Sequence, residues 1–301
     1  MTQMDRALYQ HTVGLIAKLL RERTGQVISP DRSWRVDRAI ETVLRKRGIS
    51  HSNDILTLLT QPDSAAAEQE LIEALLNNET YFFRDRQVFT NIARTVLPAL
   101  CQARAHSRTL RIWSAGCSTG QEALSLAIML LEAGITTANG WSVDLVATDV
   151  STSAIAMGRA GFYSRFEIQR GLGVGQMLRY FTETDEGWQA TRQVLGMIDY
   201  RVANLLDEPK RAARFDLILC RNLMLYFDDE AKTKACARLH AALAEDGRLL
   251  LGGGEASLDL ASGFVPAAHD TALYRVADSA ARSLAEQRRL PPRAQARLAA
   301  S

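Results

Sequence analysis

The sequence predicts an α/β fold: a mostly parallel sheet with helices on both faces, preceded by a small all-helical unit. Two observations indicate this class. From about residue 108 onward, short apolar runs of strand length alternate with helical patterns, which is typical of a parallel sheet. Before residue 77, apolar residues recur only at helical spacing, which predicts helices alone.

The helical unit is expected over residues 1–76. A first helix is predicted by apolar residues at helical spacing between Leu8 and Leu20. A second is predicted to begin at Asp31, where Pro stands beside a capping residue, and to end at Arg47 before Gly48. Two shorter helices follow, from about Asp54 and over about 65–76.

The α/β domain is expected over residues 108–278, after a linker and connecting helix at 77–107. The predicted strands are Thr109–Ser114, Val143–Thr148, Phe215–Cys220 and Arg248–Leu251, the last after an Asp246-Gly247 turn, and the predicted helices are 122–132, one from about Ser151, and 229–243. Short alternating segments within 182–203 predict an inserted antiparallel hairpin that turns at Asp185, Glu186 and Gly187. Residues 279–301 are rich in Arg and predict a loose basic tail.

Composition excludes several function classes. The 301 residues carry a formal net charge of +2, too balanced for a protein that coats nucleic acid. No apolar run approaches the roughly 18 residues of a membrane span, and the N-terminus does not resemble a signal peptide. The four cysteines form no CxxC pair and the five histidines lie outside the motifs, so we expect no metal site, no disulfides and a reducing cytoplasm.

The first motif, RIWSAGCSTGQEALSLAIML, covers residues 111–130. A strand leads into a turn of small residues and then a helix, where a ligand can approach backbone amides closely. The Gly-x-x-x-Gly spacing without a following Lys argues against a phosphate-binding loop. Glu122 lies in the first helical turn, where a carboxylate would attract a cationic ligand. The alternative is that Glu122 only complements the helix dipole.

The second motif places Asp149 at the carboxyl end of the second strand. An acid there binds ribose hydroxyls in nucleotide-binding α/β folds. The alternative is an N-cap for the helix that begins near Ser151, and the position suits both roles.

The third motif, FDLILCRNLMLYF at 215–227, ends a buried strand in Arg221 and Asn222. Polar residues there are costly unless they find partners, and this edge of such sheets binds ligands. Tyr226 lies four residues beyond Asn222 and is expected to overhang the same crevice.

The fourth motif, LLNNETYFFRDRQVF at 75–89, lies between the two units. Asn78, Thr80 and Arg84 are expected to face the cleft between them. The alternative is an N-cap at Asn78 or Thr80, together with interdomain packing of the aromatic residues 81–83.

Together, in this order, the four motifs resemble the chemotaxis receptor (methyl-accepting chemotaxis protein) glutamate O-methyltransferases, the CheR family. The strings NNETYFFRD, AGCSTGQEALSLA, ATDVSTSAIAMGRAGFYS and CRNLMLYF carry the resemblance, which covers about residues 10–276. It implies a Rossmann-like, class I S-adenosylmethionine-dependent methyltransferase domain with an inserted small antiparallel β-subdomain, behind a small helical domain. The chain departs from the family pattern at Ala123, Ser125 and Gly253-Gly254.

The resemblance also implies roles for particular residues. Those matching the cofactor-contacting positions of the family are Asn78, Thr80, Arg84, Glu122, Asp149, Asn204, Leu205, Arg221 and Asn222. Arg84 and Tyr226 match the two residues proposed to orient the substrate glutamate. The implied cofactor is S-adenosyl-L-methionine, with S-adenosyl-L-homocysteine as product, and the implied substrates are glutamate side chains of bacterial chemoreceptors.

The implied reaction needs no general base, because a glutamate with a pKa of about 4.3 is already ionised at pH 7. Catalysis is then expected from alignment and desolvation. The alternative is a catalytically silent receptor-binding scaffold, against which the retained cofactor residues argue. The chain lacks the GxGxxG turn that a nicotinamide oxidoreductase would need. It also lacks the basic and aromatic patch that is typical of an RNA methyltransferase.

The helix at 31–47 is the expected docking surface for the receptor's helical bundle. It carries Arg32, Arg35, Arg38, Arg45, Lys46 and Arg47 against Asp31, Asp37 and Glu41, a basic face that would steer an acidic partner. The alternative is a solvated helix with internal pairs Asp31–Arg35 and Glu41–Arg45. We expect no receptor tail-peptide tether, because the hairpin is short and its turn acidic, and we expect a monomer without membrane insertion.

Overall fold

The computed structural model describes residues 3–49, 54–61, 64–207, 214–255, 263–267 and 272–277. The predicted basic tail at 279–301 lies outside these ranges. The predicted boundaries between helical unit, linker and α/β domain stay predictions.

A seven-stranded sheet forms the framework of the described chain, with the strand order β6-β2-β1-β7-β8-β10-β9, and β3, β5 and β4 form a second, three-stranded sheet. The strands are β1 (Thr109–Ala115), β2 (Ser142–Asp149), β3 (Phe162–Tyr163), β4 (Phe181–Glu183), β5 (Trp188–Ala190), β6 (Ile198–Val202), β7 (Phe215–Cys220), β8 (Leu243–Leu251), β9 (Phe264–Pro266) and β10 (Leu273–Val276). The five strands from β6 to β8 are parallel, and β10 and β9 are antiparallel. The predicted α/β class is therefore confirmed.

Helices precede the sheet and cover it. They are α1 (Gln3–Thr24), α2 (Trp34–Arg47), α3 (Asp54–Thr60), α4 (Ala65–Leu75), α5 (Arg86–Asn91), α6 (Leu97–Ala103), α7 (Gln121–Glu132), α8 (Thr152–Ala160), α9 (Arg165–Gln169), α10 (Val174–Tyr180), α11 (Arg192–Leu195) and α12 (Asp229–Ala242). A π-helical turn, Ile92–Val96, joins α5 to α6. Among the described helices, none has both the length and the apolar character that a bilayer crossing requires.

The parallel strands are apolar on both faces because each face has its own core. In β7, Leu217 and Leu219 pack with α7 residues such as Leu124 on one face. Ile218 and Cys220 pack with α12 on the other. Successive side chains of a strand point to opposite faces, so a continuous apolar run is what a sheet covered on both sides requires.

The N-terminal helices share a separate apolar core. It contains Ile16 and Leu20 from α1, Val36 and Val43 from α2, and further residues of α3 and α4. The helix predicted over 31–47 ends at Arg47 before Gly48 as expected, but it begins at Trp34, because Asp31 lies in a separate 3-10 turn, Pro30–Arg32. Gly48 adopts a left-handed φ of 69° that lets its N–H bond the last carbonyls of α2.

The inserted hairpin is smaller than the 182–203 predicted for it. Only β4 and β5 form the hairpin, with the turn at 184–187 as expected, and β3 adds a third strand. Ile198–Val202 instead pairs in parallel with β2 at the edge of the main sheet. The alternating pattern of an edge strand resembles that of a hairpin strand, which explains the error.

The late strand is longer than the predicted Arg248–Leu251. β8 begins at Leu243, directly after α12, and Asp246-Gly247 lies within it rather than in a connecting turn. The pairing shifts register there, since Phe215 faces Leu243 while Leu217 faces Arg248. A bulge accommodates the extra residues.

Glu73 of α4 joins the N-terminal helices to the α/β fold. Its carboxylate accepts hydrogen bonds from the Thr152 N–H at 2.6 Å, the Thr152 hydroxyl at 2.7 Å and the Ser153 hydroxyl at 2.6 Å, and also from the Ser151 hydroxyl. It therefore caps the N-terminus of α8, where unpaired N–H groups favour an anion. Burial raises the pKa of Glu73, but the bonds from Ser151, Ser153 and Thr152 outweigh it and lower the pKa to about 2.

We expect Glu73→Gln to lower the free energy of unfolding by about 1–2 kcal/mol at pH 7, after allowing for solvent screening of this half-exposed group. The pKa of Glu73 lies below its ordinary 4.5, so the stabilisation is complete above about pH 4.5 and is lost as the pH falls toward 2. Urea unfolding across this range should show the difference between wild type and variant shrinking with acidity.

The matched control is Glu183→Gln, which removes an exposed carboxylate 3.8 Å from Arg165. Surface pairs of this kind contribute little, so its stability should stay within about 0.5 kcal/mol of the wild type. A pH-independent loss in Glu73→Gln would contradict the capping role of its charge.

Candidate functional site

A cleft opens at the carboxyl edge of the sheet, where β1 lies between β2 and β7 and the strand order reverses. This is the position at which open α/β sheets bind ligands. The cleft encloses about 840 Å³ of empty space, part of it open to solvent. All ten residues singled out from the sequence line it: Asn78, Thr80, Arg84, Glu122, Asp149, Asn204, Leu205, Arg221, Asn222 and Tyr226.

The loop after β1 forms the floor of the cleft. Gly116 has a φ of 77°, and a Cβ there would meet the Leu223 side chain at 2.9 Å, so the turn requires glycine. Ser118 has a φ of 52°; its N–H donates to Asp149 at 2.8 Å and its hydroxyl to the Asn78 carbonyl at 2.7 Å. The loop thus connects β2 and the segment after α4 across the cleft.

Asp149 is the last residue of β2 and lies partly buried at the cleft wall. One carboxylate oxygen accepts from Ser118 and the other from the Ser151 N–H at 2.9 Å. The N-cap residue of α8 is Ser151, whose hydroxyl accepts from the Ala154 N–H, while Glu73 of α4 binds the same helix end from outside, so the alternative role of Asp149 as the N-cap residue is wrong. Burial raises the pKa of Asp149, although the N–H groups of Ser151 and Ser118 oppose the rise.

Arg221 is the buried charge at the centre of the site, with a side chain only 1 % exposed. Its guanidinium contacts the Glu122 carboxylate at 3.1 Å, the Asp85 carboxylate and, at 3.0 Å, the Arg84 carbonyl. Glu122 also accepts from the Ser114 hydroxyl at 2.8 Å. Glu122 therefore does more than complement the helix dipole, because it forms part of a buried ionic network.

Asn222 has a left-handed φ of 58°, a conformation that asparagine tolerates better than most residues. Glu255 holds this turn, since its carboxylate accepts from the N–H groups of Asn222 at 2.7 Å, Gly252 at 2.9 Å and Leu225 at 3.2 Å. The side-chain oxygen of Asn222 is buried without a partner. A buried acceptor of this kind is expected to meet a donor on a ligand.

The segment between α4 and α5 carries Asn78, Thr80 and Arg84 along the cleft. The alternative N-cap at Asn78 or Thr80 is wrong, because the next helix begins at Arg86. Arg84 donates to the Glu79 carbonyl at 3.0 Å, and its guanidinium carbon lies 5.6 Å from the centre of the Tyr81 ring.

Phe82 and Phe83 pack within the α/β core rather than between the two units, whereas the centre of the Tyr81 ring lies 4.7 Å from the guanidinium carbon of Arg170. Phe82 is fully buried and meets Tyr163 and Phe181 edge-on, with ring centres 5.0 and 5.5 Å away. Phe83 packs on Phe89. These contacts anchor the segment and so fix the neighbouring residues Thr80 and Arg84 at the cleft.

Tyr226 overhangs the cleft as expected, and its hydroxyl meets the side-chain amide of Asn77 at 2.6 Å. Asn204 and the buried Leu205 form the far wall. The Asn204 amide donates to the Arg23 carbonyl at 2.8 Å. The end of α1 therefore closes one side of the cleft.

The cleft offers carboxylates and amide oxygens at one end and a mixed polar and apolar wall at the other. Glu122 and the unpartnered Asn222 oxygen suit a ligand with a positively charged or donor-rich end. Asp149 suits hydroxyl groups. Within the described part of the chain, no group of three or more His, Cys, Asp or Glu side chains is arranged to hold a metal ion.

Sequence reasoning missed four residues that build the site: Glu73, Asn77, Ser118 and Glu255. Glu73 lies 78 residues from Ser151 and Glu255 lies 33 from Asn222, so no local spacing relates them. Ser118 belonged to a motif already singled out, and a small polar residue in a turn beside a strand-end acid was a signal that could have found it.

Residues 78–268 match the family described as "CheR methyltransferase, SAM binding domain". The chain is 32 % identical over 245 residues to "Chemotaxis protein methyltransferase 1" of Pseudomonas aeruginosa, covering 80 % of this chain and 89 % of that one. It is 30 % identical to the "Chemotaxis protein methyltransferase" of Vibrio parahaemolyticus, covering 82 % and 90 %. It is also 35 % identical to the "Probable biofilm formation methyltransferase WspC" of Pseudomonas aeruginosa, covering 83 % of this chain and 58 % of that longer protein.

The family match spans the cleft and the sheet edge that forms it, from Asn78 to beyond Glu255. It assigns S-adenosylmethionine as the cofactor and methyl transfer as the activity. The strand order, the position of the cleft and these similarities agree, and the chain belongs to the CheR methyltransferase family.

Proposed function

We propose that the chain transfers the methyl group of S-adenosylmethionine to glutamate side chains of bacterial chemoreceptors. The observation that carries the proposal is the convergence of all ten predicted site residues on one cleft at the switch point of the sheet. These residues come from five separate segments of the chain, and packing alone gives no reason for them to meet around open space.

The cofactor assignment follows the chemistry of the cleft. We place the ribose hydroxyls at Asp149, the adenine between Asn204 and Leu205, and the methionine end at Glu122, Arg221 and Asn222. Asn78, Thr80 and Arg84 would cover the cofactor from the segment after α4. The unpartnered buried oxygen of Asn222 supports this placement, because the ammonium group of the cofactor is a donor that would satisfy it.

Bound in this way, the cofactor supplies a methyl group on a sulfonium, which an ionised carboxylate attacks without a general base. Arg84 and Tyr226 then orient the substrate carboxylate through a guanidinium and a hydroxyl. Arg84 is already braced by the Glu79 carbonyl and the Tyr81 ring. Tight binding of the carboxylate would stabilise the anionic ground state more than the charge-dispersed transition state. Arg84 and Tyr226 therefore act by positioning the carboxylate.

Transfer of tritium from labelled S-adenosylmethionine to receptor-containing membranes tests the proposal. We expect label on the receptor that mild base releases as methanol, as an ester requires. Retention of cofactor binding without any transfer to the receptor would favour the alternative of a catalytically silent scaffold, and base-stable label would contradict glutamate as the acceptor.

We propose that the exposed face of α2 docks the acidic helices of the receptor. Trp34, Arg38 and Arg45 lie on this face, with the Arg38 guanidinium carbon 6.0 Å from the Trp34 ring centre. The alternative pairs Asp31–Arg35 and Glu41–Arg45 do not occur among the described residues. Two other basic residues of α2, Lys46 and Arg47, pair with Glu70 of α4. Arg35 is half-buried and donates to the Leu75 carbonyl, so it does not belong to this face.

We expect charge reversal at Arg38→Glu and Arg45→Glu to slow receptor methylation about tenfold at low salt, since steering charges act on encounter. Cofactor affinity, measured by calorimetry, should not change. The control is Arg192→Glu, an exposed residue of α11. Equal methylation rates of the double variant and the wild type at low ionic strength would contradict docking through α2.

We propose that the enzyme works without a receptor tail peptide. The three-stranded sheet offers edge strands of two and three residues. Asp185 and Glu186 lie in the hairpin turn, and Glu183 directly precedes it. Strand addition needs an open edge with unpaired backbone groups, and an acidic turn repels an acidic peptide. Titration of the protein with receptor tail peptides should give no measurable heat, and a micromolar dissociation constant would contradict the proposal.

A further inference from the structure

The hydroxyl of Tyr226 has a partner that the proposed mechanism does not use. Asn77, 149 residues earlier in the chain, places its side-chain nitrogen 2.6 Å from the phenolic oxygen. The side-chain oxygen of Asn77 turns back toward its own loop, where it accepts from the Glu79 N–H at 3.4 Å. This orientation makes Asn77 the donor and the Tyr226 oxygen the acceptor.

A phenolic hydroxyl has one proton to donate and lone pairs that accept. When Asn77 donates to its oxygen, the proton of Tyr226 is left free for a second partner. An ionised carboxylate only accepts hydrogen bonds. We infer that Asn77 is a positioning residue for methyl transfer, which sets the Tyr226 hydroxyl as a donor to the substrate carboxylate. The inference rests on the proposed function, in which that substrate is a glutamate side chain.

The backbone around Tyr226 is held independently of Asn77. The Tyr226 carbonyl accepts from the Val27 N–H at 2.8 Å, and Gln26 pairs with Phe227 in an antiparallel bridge. Glu255 accepts from the Leu225 N–H at 3.2 Å. The main chain of the turn is therefore fixed by groups other than Asn77. We infer that Asn77 controls only the direction of the Tyr226 hydroxyl. Substitution of the exposed Asn77 should leave the fold intact.

Two variants separate hydroxyl direction from packing. Asn77→Ala removes the donor and should lower kcat about fivefold, the scale of one hydrogen bond, with cofactor affinity unchanged. Asn77→Asp keeps the size and shape of the side chain but accepts hydrogen bonds, so it draws the Tyr226 proton to itself. We expect it to lower kcat more than Asn77→Ala does. If Asn77 only filled space, Asn77→Asp would be the milder change.

The same substitutions in a Tyr226→Phe background complete the test. Without a hydroxyl to orient, Asn77→Ala should cause no further loss of kcat. The loss that Asn77→Asp still causes there measures repulsion between its charge and the substrate carboxylate, and is subtracted. Asn139→Ala is the control, since it removes an amide hydrogen bond to the Gly134 carbonyl in a loop whose residues do not line the cleft, and should match the wild type.

The outcomes distinguish this inference from the proposed function. Wild-type protein that transfers no base-labile methyl group to receptor membranes overturns both. Active wild type with an Asn77→Ala variant of equal kcat overturns the inference alone, as do losses that simply multiply in the Tyr226→Phe background. The inference is supported if Asn77→Ala lowers kcat in the wild type but not in the Tyr226→Phe background. Asn77→Asp should then lower kcat more than Asn77→Ala does, after the effect of its charge has been subtracted.

Discussion

Asp149→Ala is expected to weaken S-adenosylmethionine binding about 10- to 150-fold, equivalent to about 1.5–3 kcal/mol for a hydrogen bond to a charged group. Asp149 stands at the end of β2 with both oxygens aimed at the cleft loops, at 2.8 Å from the Ser118 N–H and 2.9 Å from the Ser151 N–H. Each carboxylate oxygen has a second lone pair for a ribose hydroxyl. Isothermal calorimetry with cofactor and with product measures the loss.

Because Asp149 also holds the loops at Ser118 and Ser151, the alanine variant loses both the proposed contact with the cofactor and the hydrogen bonds that order these loops. Asp149→Asn separates the two, since an amide keeps one acceptor for the backbone. We expect the asparagine variant, which keeps one of the two backbone hydrogen bonds, to unfold at a higher temperature than the alanine variant and still bind the cofactor poorly. Asp199→Ala, an exposed acid paired with Arg201 on the neighbouring β6, is the control. Unchanged affinity in both Asp149 variants would contradict the ribose assignment.

The same carboxylate predicts how binding depends on pH. The pKa of Asp149 is raised by burial, so protonation of the free protein begins at a higher pH than for an ordinary aspartate. A protonated carboxyl accepts fewer hydrogen bonds. Cofactor affinity should therefore fall as the pH is lowered through the raised pKa, and should fall less in Asp149→Asn.

The strand ends of the cleft could be predicted from the sequence because they follow from local patterns. The run Leu217, Ile218, Leu219 and Cys220 is apolar on both faces, as expected for a strand inside a parallel sheet. The residues immediately after it must then lie at the carboxyl edge, where ligands bind. This reasoning located Arg221 and Asn222 without any knowledge of their partners.

The supporting groups could not be predicted, because each acts across a long stretch of chain. Glu73 is one of several acids in α4, and nothing near it in the sequence indicates that it caps α8. Glu255 follows three glycines, and its three backbone partners depend on how β8 ends beside β7. Local patterns identify groups that face solvent or core, whereas tertiary pairing determines which polar groups meet.

The error at Ile198–Val202 has the same origin. Ile198 is half-buried, Asp199 is exposed and Tyr200 is buried, an alternation that fits any half-buried strand. The choice between the small sheet and the edge of the main sheet depends on which partner strand is free. β2 is apolar and already paired with β1 on its other side, so its free edge takes β6.

Arg221→Met is expected to cause the largest loss of stability among single changes at the site, about 3–5 kcal/mol in the free energy of unfolding. The side chain is 1 % exposed and binds the carboxylates of Glu122 and Asp85. Methionine fills much of the space but leaves Glu122, whose side chain is 12 % exposed, as a buried charge without its cation. The variant also loses the bond to the Arg84 carbonyl, which helps to hold Asp85 at its left-handed φ of 60°. Urea unfolding at pH 7 measures the effect.

A second substitution identifies the source of this loss. If the cost arises from the orphaned carboxylate, Arg221→Met combined with Glu122→Gln should recover about half of the lost stability, because no unpaired charge is then buried. Glu122→Gln alone should destabilise less than Arg221→Met, since Asp85 still balances the arginine. Cofactor binding should stay weak in the double variant, because the charged groups proposed for the methionine end are gone. Additive losses of stability would contradict the ionic network, and recovered cofactor affinity would contradict the placement of the methionine end at Arg221 and Glu122.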